Sequence, residues 1–382
     1  MTETALRIAL NATALLSPQT GMGRYVKELA WALEHLNVGI RYFDAINGWR
    51  DTPPPNLPTS PAATLRFLHN LPGVRTLGLQ LQQLRFTAGS REKPLSLYHE
   101  PNYLAFRFNG PTVVTAHDAS WVRYPEAHPV QRVRNLNRQF PRSLERAQRI
   151  IVDSNFVAHE LKELFGVSPD RMRTVSLGVS SGFRAMSPVE TLPVCQRMGL
   201  EHGRYVLSVG TLEPRKNLIS LIHAFQRLPL DLCRQYPLVI AGMAGWRHEQ
   251  TDREIALLEN HGLLRFLGPV DEAVLPSLYA AARLFVYPSI YEGFGLPPLE
   301  AMASGTPVIA SDRASLPEVV GEAGLLVDPY DIDALAEAIR SVLEDAHRQT
   351  RMAEAGRLRS RLFTWQRCAQ ETLAVYLEAI AA

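Results

Sequence analysis

Two hydrophobic periods alternate along this chain. Short, almost continuous apolar runs lie at 6–12 (LRIALNA), 111–118 (PTVVTAHD), 148–154 (QRIIVDS), 204–211 (RYVLSVGT), 236–243 (YPLVIAGM), 263–270 (LLRFLGPV), 283–289 (RLFVYPS) and 306–312 (TPVIASD). Between them, apolar residues recur at helical spacing in 24–36, 155–166, 216–228, 273–282, 296–305 and 331–346. Buried strands alternating with amphipathic helices predict an α/β fold with parallel sheets. The pattern restarts near residue 200, so the chain divides into two such domains. The stretch 182–203, irregular and proline-bearing, reads as the linker, and we set the boundary at 185/186.

Length agrees, since 382 residues exceed what one core usually serves. With 46% hydrophobic residues a full core is available. A net charge of +2 is too mild for a nucleic-acid binder. Cys195, Cys233 and Cys368 are far apart and fit neither a disulfide framework nor a zinc site, which favours a reducing, cytoplasmic setting. The opening run begins with acid and reads as a first strand rather than a leader. No run of 18 apolar residues exists to span a membrane.

The candidate chemistry follows strand ends, where open α/β sheets bind ligands. In YEGFGLPPLEAMASG, Glu292 stands at a strand end and Glu300 is placed in the first turn of the next helix. Gly293 and Gly295 allow close backbone approach, Phe294 lies between them, and Pro297 and Pro298 suit a helix start. The free N–H groups near Gly295 and Leu296 make a phosphate site. One ligand fits the three points: a polyol at Glu292, phosphate at the helix start, ribose hydroxyls at Glu300. An acidic first turn for the helix dipole would account for Glu300 but not for Glu292 or the glycines. Arg215 and Lys216, in VGTLEPRKNL, suit a diphosphate, although an exposed basic loop is the plainer alternative. Gly21 and Gly23 form a short glycine loop before a helix, a weak signal beside an ordinary turn. His117 and Asp118 end the strand 111–118, where a histidine can bond a sugar hydroxyl or a backbone carbonyl. The string Asp331-Ile-Asp333 has DxD form but opens a helix, so Asp331 reads as an N-cap and no metal cluster remains. The segment 131–149 holds Arg132, Arg134, Arg138, Arg142, Arg146 and Arg149 against Glu145. With the leucines of 74–86 it offers a face for anionic lipid or a lipid diphosphate, although most charge runs are solvated surface.

Taken together, EGFGLPPLEAMASGTPVIAS, VGTLEPRKNL, AGMAGW, GPVDEAVLPSLYAAA, AGLLVDPYDIDALAEAI and FTWQRCAQETLAVY resemble the family-4 (group 1) retaining glycosyltransferases, over nearly the whole chain. AHDASWVRYPEAHP resembles a subgroup that builds bacterial O-antigen and exopolysaccharide, often from GDP-mannose or GDP-rhamnose. The resemblance implies the GT-B fold: an acceptor domain, 1–185, and a nucleotide-sugar domain, 186–363, facing across a cleft. A last helix, 364–382, returns to the first domain. It implies a catalytic set of His117, Glu292, Arg215 and Lys216. Glu292 would bond the donor sugar near its C3 hydroxyl, Glu300 the ribose, and Arg215 and Lys216 the diphosphate beside Gly293, Phe294, Gly295 and Leu296. His117 would touch the donor sugar, the base would pack near Val270, and the loop of Gly21 and Gly23 would close on donor and acceptor. Asp118 and Arg123 are acceptor candidates. GMG replaces the commoner adjacent glycine pair in that loop. Neither cofactor nor metal is expected. The expected partners are a nucleotide sugar and a glycan or lipid-linked saccharide, with peripheral contact at the inner face of the cytoplasmic membrane through 131–149. Alternatives are a UDP- or dTDP-sugar donor, an epimerase or hydrolase on the same scaffold, or a non-catalytic nucleotide-sugar binder. A dehydrogenase is disfavoured, because the first strand–loop–helix lacks GxGxxG.

Overall fold

A computed structural model describes residues 6–16, 21–54, 74–243, 245 and 249–382. The first sheet holds β1 (Arg7–Asn11), β2 (Gly39–Asp44), β3 (Gly48–Arg50), β4 (Leu97–Glu100), β5 (Thr112–Ala116), β6 (Arg149–Val152) and β7 (Met172–Thr174), in the order β3-β2-β1-β4-β5-β6-β7. Every pairing is parallel except the β2–β3 hairpin. The second sheet holds β8 (Val206–Val209), β9 (Leu238–Ala241), β10 (Leu264–Phe266), β11 (Leu284–Tyr287), β12 (Val308–Ser311) and β13 (Leu325–Val327). Its order is β10-β9-β8-β11-β12-β13, parallel throughout. Helices flank both sheets, so runs such as LVIA and LFVY are buried from end to end.

The expected linker is largely helical. Pro188–Met198 folds because Ser187 and Glu190 form a capping box and Gly199 ends the helix at φ 59°. It packs on helix Leu275–Ala281, and so belongs with the second domain. Gly21 and Gly23 also differ from expectation. They lie in the first turn of helix Gly21–Glu34, not in a loop before it. Asp331 does cap its helix, accepting from the Ala334 N–H at 2.9 Å.

The chain passes between domains at Gly178–Val179 and again at Phe363–Trp365, and the Val179 N–H donates to the Phe363 carbonyl at 3.1 Å. Helix Trp365–Ala381, capped by Thr364, then lies on helix Gly21–Glu34 and on β4, β5 and β6 of the first sheet. Its buried face is Trp365, Cys368, Ala369, Thr372, Val375, Tyr376 and Ala379, the three-and-four spacing of one helical stripe. Tyr376 Oη pairs with buried His99 Nδ1 at 2.7 Å. Burial pushes the His99 pKa down to about 3, so this ring is neutral. Glu378 completes the docking through Arg149 and Arg173, at 3.0 and 2.7 Å. One apolar cluster runs from Ile8 and Val26 through Phe183 and Trp365 to Leu278 and Phe285, so the domains share a core.

Candidate active site at the domain interface

Glu292 follows β11, and β8 is followed by a short turn, Pro214–Lys216, that delivers two cations to it. Lys216 Nζ donates to Glu292 Oε1 at 2.5 Å, and Arg215 Nη1 donates to Oε2 at 3.3 Å. Tyr287 Oη and Ser289 Oγ donate to Oε1 at 2.8 and 2.6 Å. Burial alone would raise the Glu292 pKa. Lys216, Arg215 and the Ser289 hydroxyl more than offset that and hold it down to about 2. Burial lowers the Lys216 pKa, and neighbouring Arg215 lowers it further. Arg215 is kept charged against burial by Glu292 and by Glu213, whose Oε1 lies 2.7 Å from Nη2. Arg215 Nε is buried with no hydrogen-bond partner among the described residues. The cluster therefore sets two cations, Arg215 and Lys216, against two carboxylates, Glu292 and Glu213.

The helix after Glu292 is Leu296–Ala303, with Gly295 as N-cap at φ 121°. A Cβ at Gly295 would lie 2.8 Å from Leu316 Cδ2, so both backbone angle and space demand glycine there. Proline at 297 and 298 removes two N–H groups, which leaves those of Gly295 and Leu296 at the helix start. Glu300 sits one turn in, not in the first turn. Its carboxylate meets Arg24 of the first domain through Oε1. Phe294 turns away and packs edge-on against Phe363, 5.8 Å between centroids. Val270 is partly buried after β10.

On the facing side, His117 follows β5. Its Nδ1 lies 2.7 Å from Asp153 Oδ2 and its Nε2 2.8 Å from the Pro101 carbonyl. The Asp153 carboxylate and the Pro101 carbonyl are both acceptors, an arrangement that favours the doubly protonated ring. Burial opposes that charge, but Asp153 and the Pro101 carbonyl outweigh it and raise the pKa. Of the two expected partners, a sugar hydroxyl or a backbone carbonyl, the ring meets a backbone carbonyl here, that of Pro101. What His117 brings to the interface is its backbone: a Cβ on Gly293 would fall 1.7 Å from the His117 carbonyl oxygen. Gly293 is glycine because the two domains touch there. Asp118 Oδ1 accepts from Tyr103 Oη, Ser120 N and Ser120 Oγ, at 3.0, 3.1 and 3.0 Å. Arg123 is engaged by Glu160 and Glu163, at 2.8 and 2.5 Å.

Several further residues take part in the interface. Tyr291 Oη crosses the interface, accepting from the Ala119 N–H at 2.8 Å and donating to Glu160. Ser154 caps helix Asn155–Phe165 and donates to the Gly293 carbonyl at 2.8 Å. Glu318 accepts from the Asn155 and Phe156 N–H groups, at 2.9 and 2.7 Å, capping a helix of the other domain. Among these only the Ser154 cap was readable, as a serine before a helical pattern. Beside the interface, where β1 and β4 end, lies a groove of about 950 Å³. Arg107, Arg134, Arg138, Arg142 and Arg146 line it, with Leu79 and Leu84 among its apolar walls. Among the described residues no three or more His, Cys, Asp or Glu side chains are grouped to hold a metal ion, and no helix is long and apolar enough to cross a membrane.

Two parallel-sheet domains with a charged cluster at their facing strand ends define a GT-B glycosyltransferase. Residues 19–182 match the family described as Glycosyltransferase Family 4, and residues 198–359 that described as Glycosyl transferases group 1. The chain is 38% identical to O-antigen chain mannosyltransferase B of Escherichia coli over 381 residues, 97% of this chain and 99% of that one. It is 34% identical to serotype-specific mannosyltransferase WbdA of E. coli over 226 residues, 58% of this chain and 28% of that longer protein. Sucrose-phosphate synthase from Thermosynechococcus elongatus superposes with a TM-score of 0.77 at 24% identity, over 98% of this chain and 99% of its own, a likeness of fold. The chain belongs to the family-4, group 1 glycosyltransferases and is a hexosyltransferase.

Proposed function

We propose that this enzyme transfers mannose, with retention, from GDP-mannose to a hydroxyl of a growing, lipid-linked glycan in bacterial surface polysaccharide synthesis. The observation that carries the reading is the buried Glu292–Arg215–Lys216 cluster at the ends of neighbouring strands β8 and β11. A sugar hydroxyl donates to Glu292. The donor diphosphate is bound by Arg215, Lys216 and the N–H groups of Gly295 and Leu296. Ribose hydroxyls donate to Glu300, and the base packs at Val270. As the sugar–phosphate bond breaks, negative charge grows on the leaving diphosphate, where these cations stabilise it. The departing phosphate takes the acceptor proton on the same face. Cations of the chain supply the charge that a metal would otherwise bring. The kinship with O-antigen chain mannosyltransferase B supports mannose and a polysaccharide product.

The acceptor lies against the first domain, near Asp118. The arginine groove with its leucine walls supports a diphosphate carried on lipid, and peripheral contact with the inner face of the cytoplasmic membrane.

The test is a thermal-shift titration with GDP, UDP and dTDP, each with and without EDTA. Transfer from GDP-mannose to a mannose-terminated acceptor is then followed, with the anomeric proton of the product read by NMR. GDP should raise the melting temperature most, EDTA should change neither reading, and the new linkage should be α. A larger shift with UDP or dTDP overturns the donor. Activity lost in EDTA overturns metal independence. A β linkage overturns retention.

A further inference from the structure

Arg24 belongs to the first domain, in the first turn of helix Gly21–Glu34. That turn has a firm base, since a Cβ on Gly23 would already lie 3.3 Å from the Ala14 carbonyl oxygen. Yet both ion pairs of Arg24 are made with the second domain. Nη1 donates to Glu300 Oε1, and Nε donates to Glu272 Oε1 at 2.9 Å. The guanidinium also lies over the Phe183 ring, 5.5 Å from its centroid, in the segment that joins the domains. The Arg24 side chain is only 12% exposed and that of Glu300 only 4%. Glu300 Oε2 has no protein partner among the described residues.

We propose that Arg24 is a positioning residue that makes the ribose-binding form of Glu300 conditional on domain closure. It rests on the reading that Glu300 holds the donor ribose. With Oε1 fixed by Arg24, Oε2 is left to accept the ribose hydroxyls. Arg24 reaches Glu300 only when the first domain is seated on the second. A nearly buried carboxylate without this cation would carry its charge uncompensated or turn toward water. Closure therefore strengthens ribose binding, and by linkage ribose binding favours closure. Glu272, two residues beyond Val270, lets the same guanidinium hold the loop proposed to carry the base. Only a planar fork bridges both carboxylates at once; a lysine ammonium is a single point charge.

The probe is the ratio of dissociation constants for 2′-deoxy-GDP and GDP, measured by calorimetry on the full chain. Should another nucleoside diphosphate bind better, its ribo and deoxy forms take their place. Wild type should prefer the ribonucleotide, and Glu300→Ala should erase the preference. Arg24→Gln should reduce it at least threefold, and Arg24→Lys should restore part of it. Glu272→Gln, which leaves the Glu300 pair intact, should keep most of it and stands in should Arg24→Gln fail to fold. A preference undiminished in Arg24→Gln and lost in Glu300→Ala overturns the role of Arg24. The same holds for a preference lost in Glu272→Gln but retained in Arg24→Lys. A preference retained in Glu300→Ala overturns the ribose reading itself.

Discussion

Lys216 Nζ and Glu292 Oε1 lie 2.5 Å apart, and both side chains are only 11% exposed. A pair so placed is asymmetric under mutation. Both groups together are tolerated, whereas either one alone is a stranded charge. We predict that Glu292→Ala lowers turnover by roughly 10²–10³, the loss expected when a preorganised charged contact at the reacting sugar is removed. Affinity for free GDP should change by less than about tenfold, because the diphosphate contacts remain. Steady-state rates beside calorimetric GDP binding check this. Turnover within a few-fold of wild type would remove Glu292 from the sugar site.

Tyr291 carries the prediction on closure. Its hydroxyl joins the Ala119 N–H and Glu160 across the interface, and its ring meets those of Tyr124 and Phe156, at 5.4 and 5.6 Å. Tyr291→Phe keeps the ring contacts and removes only the hydroxyl. The orphaned Ala119 N–H and the weakened Glu160 should cost about 1–3 kcal/mol. Because the loss falls on the interface, the maximum dimension from small-angle scattering should grow and donor turnover should fall. Unchanged scattering and turnover would mean that closure does not depend on this hydroxyl.

These interface residues mark where sequence reading stopped. The cores of β1, β5, β6, β8, β9, β11 and β12 were legible because their buried runs are almost purely apolar. β4 was not, since its buried residues include His99 and Glu100. Those polar groups make sense only once Tyr376 and Asn11 are in place, at 2.7 Å from each. Edge strands β3, β7 and β13 are three residues long and lack the paired apolar flanks, Leu263 and Leu267, that let the equally short β10 register. The Glu292 and Arg215–Lys216 motifs were legible as residue types at strand ends. Their mutual pairing was not, nor was the capture of both His117 nitrogens, because partners 36 or 76 residues away leave no trace in local spacing.

His117 sets a pH dependence. Its folded pKa is raised above the ordinary 6.5 by Asp153 and the Pro101 carbonyl, against the effect of burial. A group raised on folding contributes stability that is complete below its unfolded value and is lost as pH climbs through the folded one. We predict that the melting temperature of His117→Asn lies furthest below wild type near pH 6, and that the gap narrows as the pH rises above the ordinary histidine value. Melting curves at stepped pH in constant ionic strength decide it. A gap that stays constant, or widens with pH, would mean that the ring is neutral in the folded protein.

The arginine groove yields a prediction in which stability and binding move in opposite directions. The guanidinium groups of Arg107, Arg134, Arg138 and Arg142 have no hydrogen-bond or ion-pair partner among the described residues. Burial lowers the Arg146 pKa, and the nearby charges of Arg107 and Arg142 lower it further. Like charges that outnumber their counterion, Glu145, weaken the fold unless an anion joins them. The double variant Arg142→Gln, Arg146→Gln should therefore melt no lower than wild type. It should lose attraction to an anionic surface of about 1 kcal/mol per arginine removed, hence about 2 kcal/mol or some thirtyfold in partitioning. Cosedimentation with vesicles containing phosphatidylglycerol measures this, at low salt and at about 0.3 M, where screening shortens the reach of the charges. Wild type should leave the vesicles as salt rises, and the variant should bind weakly at both. Equal partitioning of the two proteins at low salt would mean that the groove does not face the membrane. A variant that melts well below wild type would mean that these arginines are held by the fold rather than crowded within it.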